Sequence, residues 1–333
     1  MGYKVAIIMG SDSDFKVMAE AIPVLEKNNI AYDIRITSAH RTPDEMALFA
    51  KKAKENGYDV IIAGAGGAAH LPGMTASITG VPVLGVPIRT RGLDGIDSVL
   101  SILQMPAGIP VATMGINNAK GAAELAVKML SRADSKTVQI RYDERKITKE
   151  DMDVVVNTLA IYGLHAEFIT DVKGLGAQEA QIGQDTQVVE EKQVVKEKQV
   201  LQEAQGVNMT KKADRNTNAI GVVNLGDRTL VELEALAKEA PHLPLLTMPV
   251  KGNVFADFAG AQESMRSIWL ASNNTLPIAM LAVNGFQNAG IMMAKIAGIH
   301  EPEIYRRVIE EQEQLRKQVK EKDARFARRE YPQ

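Results

Sequence analysis

The strongest constraint on the fold is a unit that recurs five times in the first 131 residues. Each unit has a short apolar run, a loop and, in most cases, a helical pattern. The runs lie at residues 4–9, 32–37, 60–63, 83–86 and 111–114, and the first shows no polar alternation. Such runs are typical of strands buried on both faces of a parallel sheet. The repeated unit predicts an α/β fold: a doubly wound, flavodoxin-like parallel sheet in a three-layer αβα arrangement.

The helical patterns and the loops before them indicate where a ligand would bind. Helices are predicted at residues 15–27, 43–56, 95–104 and 119–131, with a short helix after residue 70. Ligands of doubly wound sheets bind beyond the carboxyl ends of the strands, where the strand order reverses. Because the first three strands end in polar or glycine-rich loops, we expect one pocket to be lined by residues 11–14, 38–41 and 64–70.

The second of these loops leads into a well-marked helix start. Thr42 is a candidate N-cap, Pro43 suits the first helical position, and Glu45 completes a capping-box pattern with Thr42. The free N–H groups of a helix start attract phosphate, and Arg41 can add a bidentate contact. His40, which titrates near neutral pH, can move a proton beside the anchored phosphate. The alternative is a capped helix whose His40 and Arg41 are merely solvated.

At these loops the sequence resembles the N5-carboxyaminoimidazole ribonucleotide mutases of purine biosynthesis. The resemblance covers nearly all of residues 4–132 in order, spacing and loop identity. The matching stretches are GSDSD at 10–14, SAHRTP at 38–43, GAGGAAHLPGM at 64–74 and QMP at 104–106.

The resemblance implies a carboxylate rearrangement that needs neither cofactor nor metal. The family's catalytic histidine falls on His40, which would carry out the proton transfers. Arg41 with Ser38 would bind phosphate, and Ser11 and Asp14 match substrate contacts of the family. Further substrate-binding candidates in the same loops are Ser13, Ala68, His70 and Leu71.

The resemblance leaves a closely related alternative, an aminoimidazole ribonucleotide carboxylase that uses free carbon dioxide. A second alternative is a nicotinamide dinucleotide oxidoreductase, since residues 64–69 fit a loose glycine fingerprint. That fold should carry an acidic residue after the next strand, where this chain has Arg89. A third alternative is a catalytically inactive nucleotide-binding or scaffold protein. Arg89 and Arg91 also depart from the family loop, so whether they touch a substrate stays open.

Composition sets the broad class. The 333 residues carry a formal charge of -2, which gives no reason to expect nucleic acid or an anionic membrane as partner. The chain has no cysteine, which suits a reducing cytosol. We find no signal-type start and no apolar run of about 18 residues, so we expect a soluble, cytoplasmic protein. The resemblance implies that its partner is a small-molecule nucleotide substrate.

The second half of the sequence repeats the first in outline. Runs at 137–142 and 166–170, with a helical pattern between them, retrace the opening strands, and later runs echo the remaining ones. We predict a mutase domain at 1–132, a degenerate copy at 133–300 with a charged insertion at about 175–217, and a packing helix at 301–333. In that copy DERK at 143–146 and DVKG at 171–174 stand where the first copy has its serine and histidine loops, and Glu232 stands opposite His70.

Other predictions concern the tail and the remaining histidines. Ile304, Val308, Leu315 and Val319 form an apolar stripe on the tail helix. Because the resembled family forms octamers of single-copy subunits, a homo-oligomer is expected, with a tetramer of two-lobed chains as one form. We expect surface or core roles for His165, His242 and His300.

Overall fold

The computed structural model describes residues 2–131, 135–142, 147–170, 219–226, 230–250, 265, 268 and 272–328. The predicted insertion at 175–217 and the two replacement loops at 143–146 and 171–174 lie outside these residues. The described residues form a mixed, mainly parallel α/β sheet flanked by helices.

The N-terminal half, residues 2–131, contains five parallel strands. They lie in the order β2-β1-β3-β4-β5, so the order reverses beside β1. The strands are β1 Lys4–Met9, β2 Ala31–Ile36, β3 Val60–Gly66, β4 Val83–Ile88 and β5 Ala112–Thr113. All five predicted strands are present. β3 runs to Gly66, three residues further than its apolar run predicted.

The helices of this half follow the predicted positions but are shorter. They are α1 Phe15–Met18, α2 Ile22–Lys27, α3 Pro43–Lys51, α4 Leu71–Ala76, α5 Ile96–Leu103 and α6 Ala119–Leu130. The single helix predicted at 15–27 is interrupted by a 3-10 turn at Ala19–Ala21, and Pro23 stands at the start of α2. The helix predicted to reach residue 56 ends at Lys51, and turns lead on to Gly57, whose φ is 83°.

The C-terminal half, residues 135–328 as far as described, adds five more strands. They are β6 Thr137–Tyr142, β7 His165–Thr170, β8 Gly221–Leu225, β9 Leu245–Met248 and β10 Ile278–Met280. The helices are α7 Lys149–Ile161, α8 Leu230–Glu239, α9 Phe286–Ala297 and α10 Pro302–Ala327. From its outer edge inwards this half reads β7-β6-β8-β9-β10, which is the spatial order of β2-β1-β3-β4-β5.

The two halves share one sheet and one core. β10 pairs antiparallel with β5 through Met280 and Thr113, which joins the described strands into a ten-stranded sheet. The largest hydrophobic cluster contains side chains from both halves, among them Ile7, Leu125, Ile140 and Met292. Within the described residues, no helix has the length and apolar character needed to cross a membrane.

The tail helix α10 packs on this body with only the first part of its predicted stripe. Ile304 and Val308 are buried, and Leu315 lies so close to Gly108 that a Cβ on that glycine would meet it at 2.5 Å. Val319 is 64% exposed, so the last residue of the stripe takes no part in this packing. The reason is geometric: the helix continues past the edge of the body that it packs against.

Candidate active site

The loops after β1, β2 and β3 meet at a cavity of about 580 Å³. This is the edge where carboxyl ends of parallel strands converge beside the reversal of strand order. All nine site residues predicted from the sequence line it: Ser11, Ser13, Asp14, Ser38, His40, Arg41, Ala68, His70 and Leu71. The end of β4 adds Ile88, Arg89 and Thr90.

Two histidines from different loops are in direct contact in the wall of the cavity. His40 Nε2 lies 2.8 Å from His70 Nδ1, with the two rings nearly perpendicular at 79°. A hydrogen bond between two ring nitrogens needs a proton on one and a lone pair on the other. A neutral pair can therefore receive one proton, and a singly protonated pair can give one up, while the hydrogen bond between the rings is kept.

The turn before α3 orients the phosphate-binding candidates. Pro43 occupies the first turn as predicted, but Thr42 makes no side-chain cap bond to the helix, so the predicted capping box is wrong. The Thr42 hydroxyl instead accepts from Ser38 N at 3.0 Å and can donate to Ser38 O at 3.3 Å. This closes the five-residue turn on itself, and the N–H groups at the start of α3 keep their capacity to bind an anion.

Ser38 and Arg41 are held within that turn. Ser38 is buried, and its hydroxyl accepts from Arg41 N at 3.2 Å. The Arg41 guanidinium donates to Gly10 O at 2.6 Å, which ties the loop after β2 to the loop after β1. Hydrogen bonds thus hold both the backbone and the side chain of Arg41. The guanidinium keeps further N–H groups that can bind an anion.

The loop after β1 contributes hydroxyls and one carboxylate. Ser11 caps the short 3-10 turn at Asp12–Asp14, since its hydroxyl accepts from Ser13 N. Ser13 donates to Asp14 Oδ1 at 3.3 Å. Burial raises the pKa of Asp14, and the Ser13 hydrogen bond and the Arg41 charge partly offset this. The partly buried carboxyl group of Asp14 can accept hydrogen bonds from ligand hydroxyls.

Ser98 is a site residue that sequence reasoning missed. It lies on α5 with 0% exposure, accepts from Gly67 N at 2.8 Å and donates to Ile88 O at 2.8 Å. Ser98 thereby joins the glycine loop to the end of β4. Gly67 has a φ of 66°, a conformation that glycine adopts at little cost. The available signal was a serine on the apolar face of a helix that follows three signature loops.

Arg89 lies in the cavity wall, whereas Arg91 is not among the residues that line it. The backbone N of Arg89 donates to Asn117 Oδ1 at 2.9 Å. Its guanidinium pairs with Asp94 at 2.7 Å, and both side chains are substantially exposed. An exposed ion pair contributes little free energy, so an anionic ligand can compete for Arg89.

Other polar groups lie away from this cavity. His165 and His242 are exposed, and His300 contacts Tyr3 OH and Met129 O. The described residues contain no group of three or more His, Asp or Glu side chains arranged to hold a metal ion.

Comparison with known proteins identifies the family. A family model described as AIR carboxylase matches residues 4–151. The N5-carboxyaminoimidazole ribonucleotide mutase of Thermotoga maritima is 62% identical over 127 residues, which cover 38% of this chain and 74% of that relative. The chain belongs to the AIR carboxylase family. Its signature loops are the ones that line the cavity.

Two further comparisons show the range of this family. The chloroplastic phosphoribosylaminoimidazole carboxylase of Vigna aconitifolia is 53% identical over 150 residues, or 44% of this chain and 27% of that protein. A crystal structure of Treponema denticola PurE is 30% identical and covers 38% of this chain and 80% of that one, with a TM-score of 0.36. Relatives named as mutases and as a carboxylase thus both match the N-terminal part.

Proposed function

We propose that this chain converts N5-carboxyaminoimidazole ribonucleotide to 4-carboxy-5-aminoimidazole ribonucleotide, as an isomerase of purine biosynthesis. The observation that carries the proposal is the His40–His70 pair, hydrogen bonded at 2.8 Å in the cavity that also holds Arg41. A proton-transfer pair beside an anchored anion site is what this rearrangement requires.

The proposed reaction moves one carboxylate without net change in atoms or charge. The bond between N5 and the carboxylate carbon breaks, carbon dioxide is released into the cavity, and N5 takes up a proton. Carbon 4 of the aminoimidazole then attacks the retained carbon dioxide. Loss of the proton from carbon 4 restores the aromatic ring, so the proton that entered at N5 is balanced by the proton that leaves carbon 4.

His40 is the proposed acid and base, with His70 as its hydrogen-bond partner. A protonated His40 supplies the proton to N5 and, once neutral, removes the proton from carbon 4. Because the pair exchanges one proton in each direction, it ends each turnover in its starting state. His70 orients the His40 ring and selects which nitrogen faces the substrate.

The other predicted residues divide between the two ends of the substrate. Arg41, Ser38 and the start of α3 bind the phosphate, and Ser11 and Ser13 add hydroxyl contacts. Asp14 accepts hydrogen bonds from the ribose hydroxyls. The small or apolar side chains of Ala68 and Leu71 lie in the same wall, beside the proposed position of the released carbon dioxide.

The closest competing function is a carboxylase that takes plain aminoimidazole ribonucleotide and carbon dioxide, as the name of the Vigna relative indicates for that protein. The deciding experiment is a product assay of the purified chain with each substrate at physiological bicarbonate. We expect faster product formation from the N-carboxylated nucleotide. Faster formation from the plain nucleotide would overturn the mutase assignment in favour of the carboxylase.

A dinucleotide oxidoreductase fits the site less well. The glycine fingerprint belongs to the third strand and not to the first, and two of its glycines, Gly64 and Gly66, lie within β3 instead of in the loop after it. Arg89 follows the next strand directly, where an acid is required. A fluorescence titration with NADH is expected to show no tight binding.

We further propose that the C-terminal half is a diverged second copy of the same fold, with domains at 1–132 and 133–300 and a packing helix at 301–333. The shared strand order of the two halves supports this. Glu232, opposite His70 in the sequence comparison, lies in the first turn of α8. The copy lacks the serine, histidine and arginine set, so we assign the chemistry to the N-terminal half alone.

A further inference from the structure

The C-terminal half contacts the helix that carries His70 at the end opposite the cavity. Helix α4 begins directly after His70 and ends at Ala76. The last carbonyls of a helix have no partner within it and need donors from elsewhere. The carbonyls of Ala76, Ser77, Ile78 and Thr79 lie at this end.

Three side chains of the C-terminal half supply those donors. Lys295 Nζ donates to Ala76 O at 3.3 Å and to Thr79 O at 2.9 Å. Gln312 Nε2 donates to the same two oxygens, each at 3.2 Å. Arg316 donates to Ser77 O at 2.9 Å and to Ile78 O at 3.3 Å. All four carbonyls are therefore bonded across the boundary between the halves.

Burying a lysine side chain costs desolvation free energy, so stability alone would not favour Lys295 at this position. Its side chain lies on α9 with 1% exposure, and burial lowers its pKa to about 7. Replacing buried charges by apolar groups of similar size is often neutral or stabilising. The ammonium faces the negative end of the α4 dipole, where a cation placed by another element can fix the helix axis.

The geometry links this contact to the histidine pair. Helix α4 has six residues, so Ala76, whose carbonyl accepts from Lys295, lies about 9 Å along the axis from His70 at a rise of about 1.5 Å per residue. Five of the six residues are buried, which makes the helix a rigid piece: Leu71, Pro72, Gly73, Thr75 and Ala76. A shift at its C-terminal end is therefore transmitted to His70.

The same helix α9 also supports α4 from the side. Asn288 accepts from Gly108 N at 2.9 Å and donates to Pro106 O at 3.0 Å, which holds the loop between α5 and β5. Met105 in that loop packs on Gly73, where a Cβ would meet its sulfur at 2.8 Å. Helix α9 thus supports α4 in two ways: directly through Lys295, and indirectly through Asn288 and the loop that contains Met105.

We propose that Lys295, together with Gln312, is a positioning residue that sets His70 against His40 by holding the far end of α4. The C-terminal half is then a built-in support of the active site in the N-terminal half. This inference rests on the proposed mutase function and extends it to a residue outside the cavity.

The test uses the full chain and five variants: Lys295→Met, Lys295→Gln, Gln312→Leu, the double variant of Lys295→Met with Gln312→Leu, and Lys128→Met as control. Lys128 occupies on α6 the position that Lys295 has on α9, the tenth of twelve residues, and its pKa is also lowered by burial. It borders a groove with Pro241 and Pro277, away from α4. The control therefore removes a matched lysine without touching the helix that carries His70.

We expect kcat to fall about fivefold in Lys295→Met and about tenfold or more in the double variant, because small misplacements of catalytic groups cost large factors in rate. KM should stay within about twofold, since no phosphate ligand moves, and Lys295→Gln should recover most of kcat by keeping N–H donors. Thermal unfolding of Lys295→Met should occur at or above the temperature of the parent. If Lys295 were merely structural, its replacement would lower the unfolding temperature and leave kcat unchanged.

Nitrogen-15 NMR of the imidazoles gives a readout that does not depend on turnover. We expect the His40 and His70 signals to move in Lys295→Met and in the double variant, and to stay in place in Lys128→Met. Unchanged imidazole signals and unchanged kcat in the double variant would overturn the positioning role. If the parent chain shows no mutase activity while the signals still move, the proposed function fails and the positioning role stands.

Discussion

His40 and His70 are thirty residues apart in the chain and meet because the strands that precede them, β2 and β3, flank β1 on its two sides. His40 comes from the turn after β2, and His70 precedes α4. The hydrogen bond between them gives His70 a role that its sequence position left open. At the scale of residues, the wall of one cavity brings together His40, His70, Arg41 and Arg89.

Replacing His40 by Asn should abolish most of the turnover and leave binding intact. Loss of a general acid or base typically costs about 10²–10⁴ in rate, and the Asn amide keeps a hydrogen-bonding side chain opposite His70. Steady-state kinetics should show the loss in kcat with KM nearly unchanged. His165→Asn, at an exposed histidine of the C-terminal half, is the matched control. Turnover of the His40→Asn enzyme near the parent rate would show that the base is another group.

Arg89→Gln tests whether the second guanidinium of the cavity binds an anionic group of the substrate. We expect KM for the N-carboxylated nucleotide to rise about three- to tenfold, since a hydrogen bond to a charged group in a partly exposed site is lost. Arg91→Gln is the control, because Arg91 does not line the cavity. Equal KM values for the two variants would place Arg89 outside the binding contacts.

At the scale of elements, local patterns predicted which helices exist better than how they begin and end. The residues Thr42, Pro43 and Glu45 form a capping-box pattern, yet the Thr42 hydroxyl bonds to Ser38. The competing partner lies four residues upstream in a turn whose shape depends on β2 and Gly10. A cap is a choice among nearby acceptors and donors, and the tertiary contacts of the turn decide that choice.

Ser98→Ala should weaken both the fold and the site, because one hydroxyl joins α5 to the glycine loop and to β4. Its removal leaves Gly67 N and Ile88 O without this partner in a buried place, at a cost of about 1–3 kcal/mol for such a group. Urea denaturation should show the loss of unfolding free energy, and kcat should fall with it. Ser131→Ala removes an exposed hydroxyl bonded to Val127 O and should change neither. A kcat of Ser98→Ala equal to that of the parent would show that the contact of Ser98 with the glycine loop is not needed for catalysis.

Lys295 should make the stability of the chain depend on pH. Its pKa of about 7 in the folded state lies below the ordinary value of 10.5. Between these values the unfolded chain binds more protons, so this group adds to the unfolding free energy as pH rises from about 7 to about 10.5, and the contribution is lost as pH falls through 7. Lys295→Met removes this dependence.

Urea denaturation of the parent and of Lys295→Met at about pH 6 and about pH 9 measures this pH dependence. Each unit of pKa shift corresponds to about 1.4 kcal/mol of unfolding free energy. The unfolding free energy of Lys295→Met, relative to that of the parent, should be highest at the lower pH. The same difference in unfolding free energy at both pH values would contradict the shifted pKa.

At the scale of the whole molecule, the two halves form one sheet through an antiparallel contact between two short strands. β5 and β10 meet at Thr113 and Met280, and the surrounding core contains side chains of both halves. The junction places α9 and α10 against the N-terminal half, where Lys295, Gln312 and Arg316 bond to backbone carbonyls. The halves are therefore expected to unfold together.

The outer surface carries apolar side chains that suit further association. Ile36 on the edge strand β2 is 61% exposed, Leu48 on α3 is 55% exposed, and Val319 on α10 is 64% exposed. We expect light scattering in solution to give a mass about four times the 36.2 kDa of one chain. Val319→Asp should lower that mass if the tail helix contributes to the contact. A mass of a single chain for the parent would contradict the tetramer.

The sequence by itself determined the parallel sheet of the N-terminal half, the edge at which its ligand site lies and the residues that line it. Those features follow from short-range patterns: apolar runs for buried strands, and polar or glycine loops at their carboxyl ends. Only the tertiary structure decided the His40–His70 bond, the role of Ser98 and the hold of Lys295 on α4. These contacts join residues up to 219 positions apart. No local pattern records which distant carbonyl a buried ammonium will meet, because packing of the two halves sets that distance.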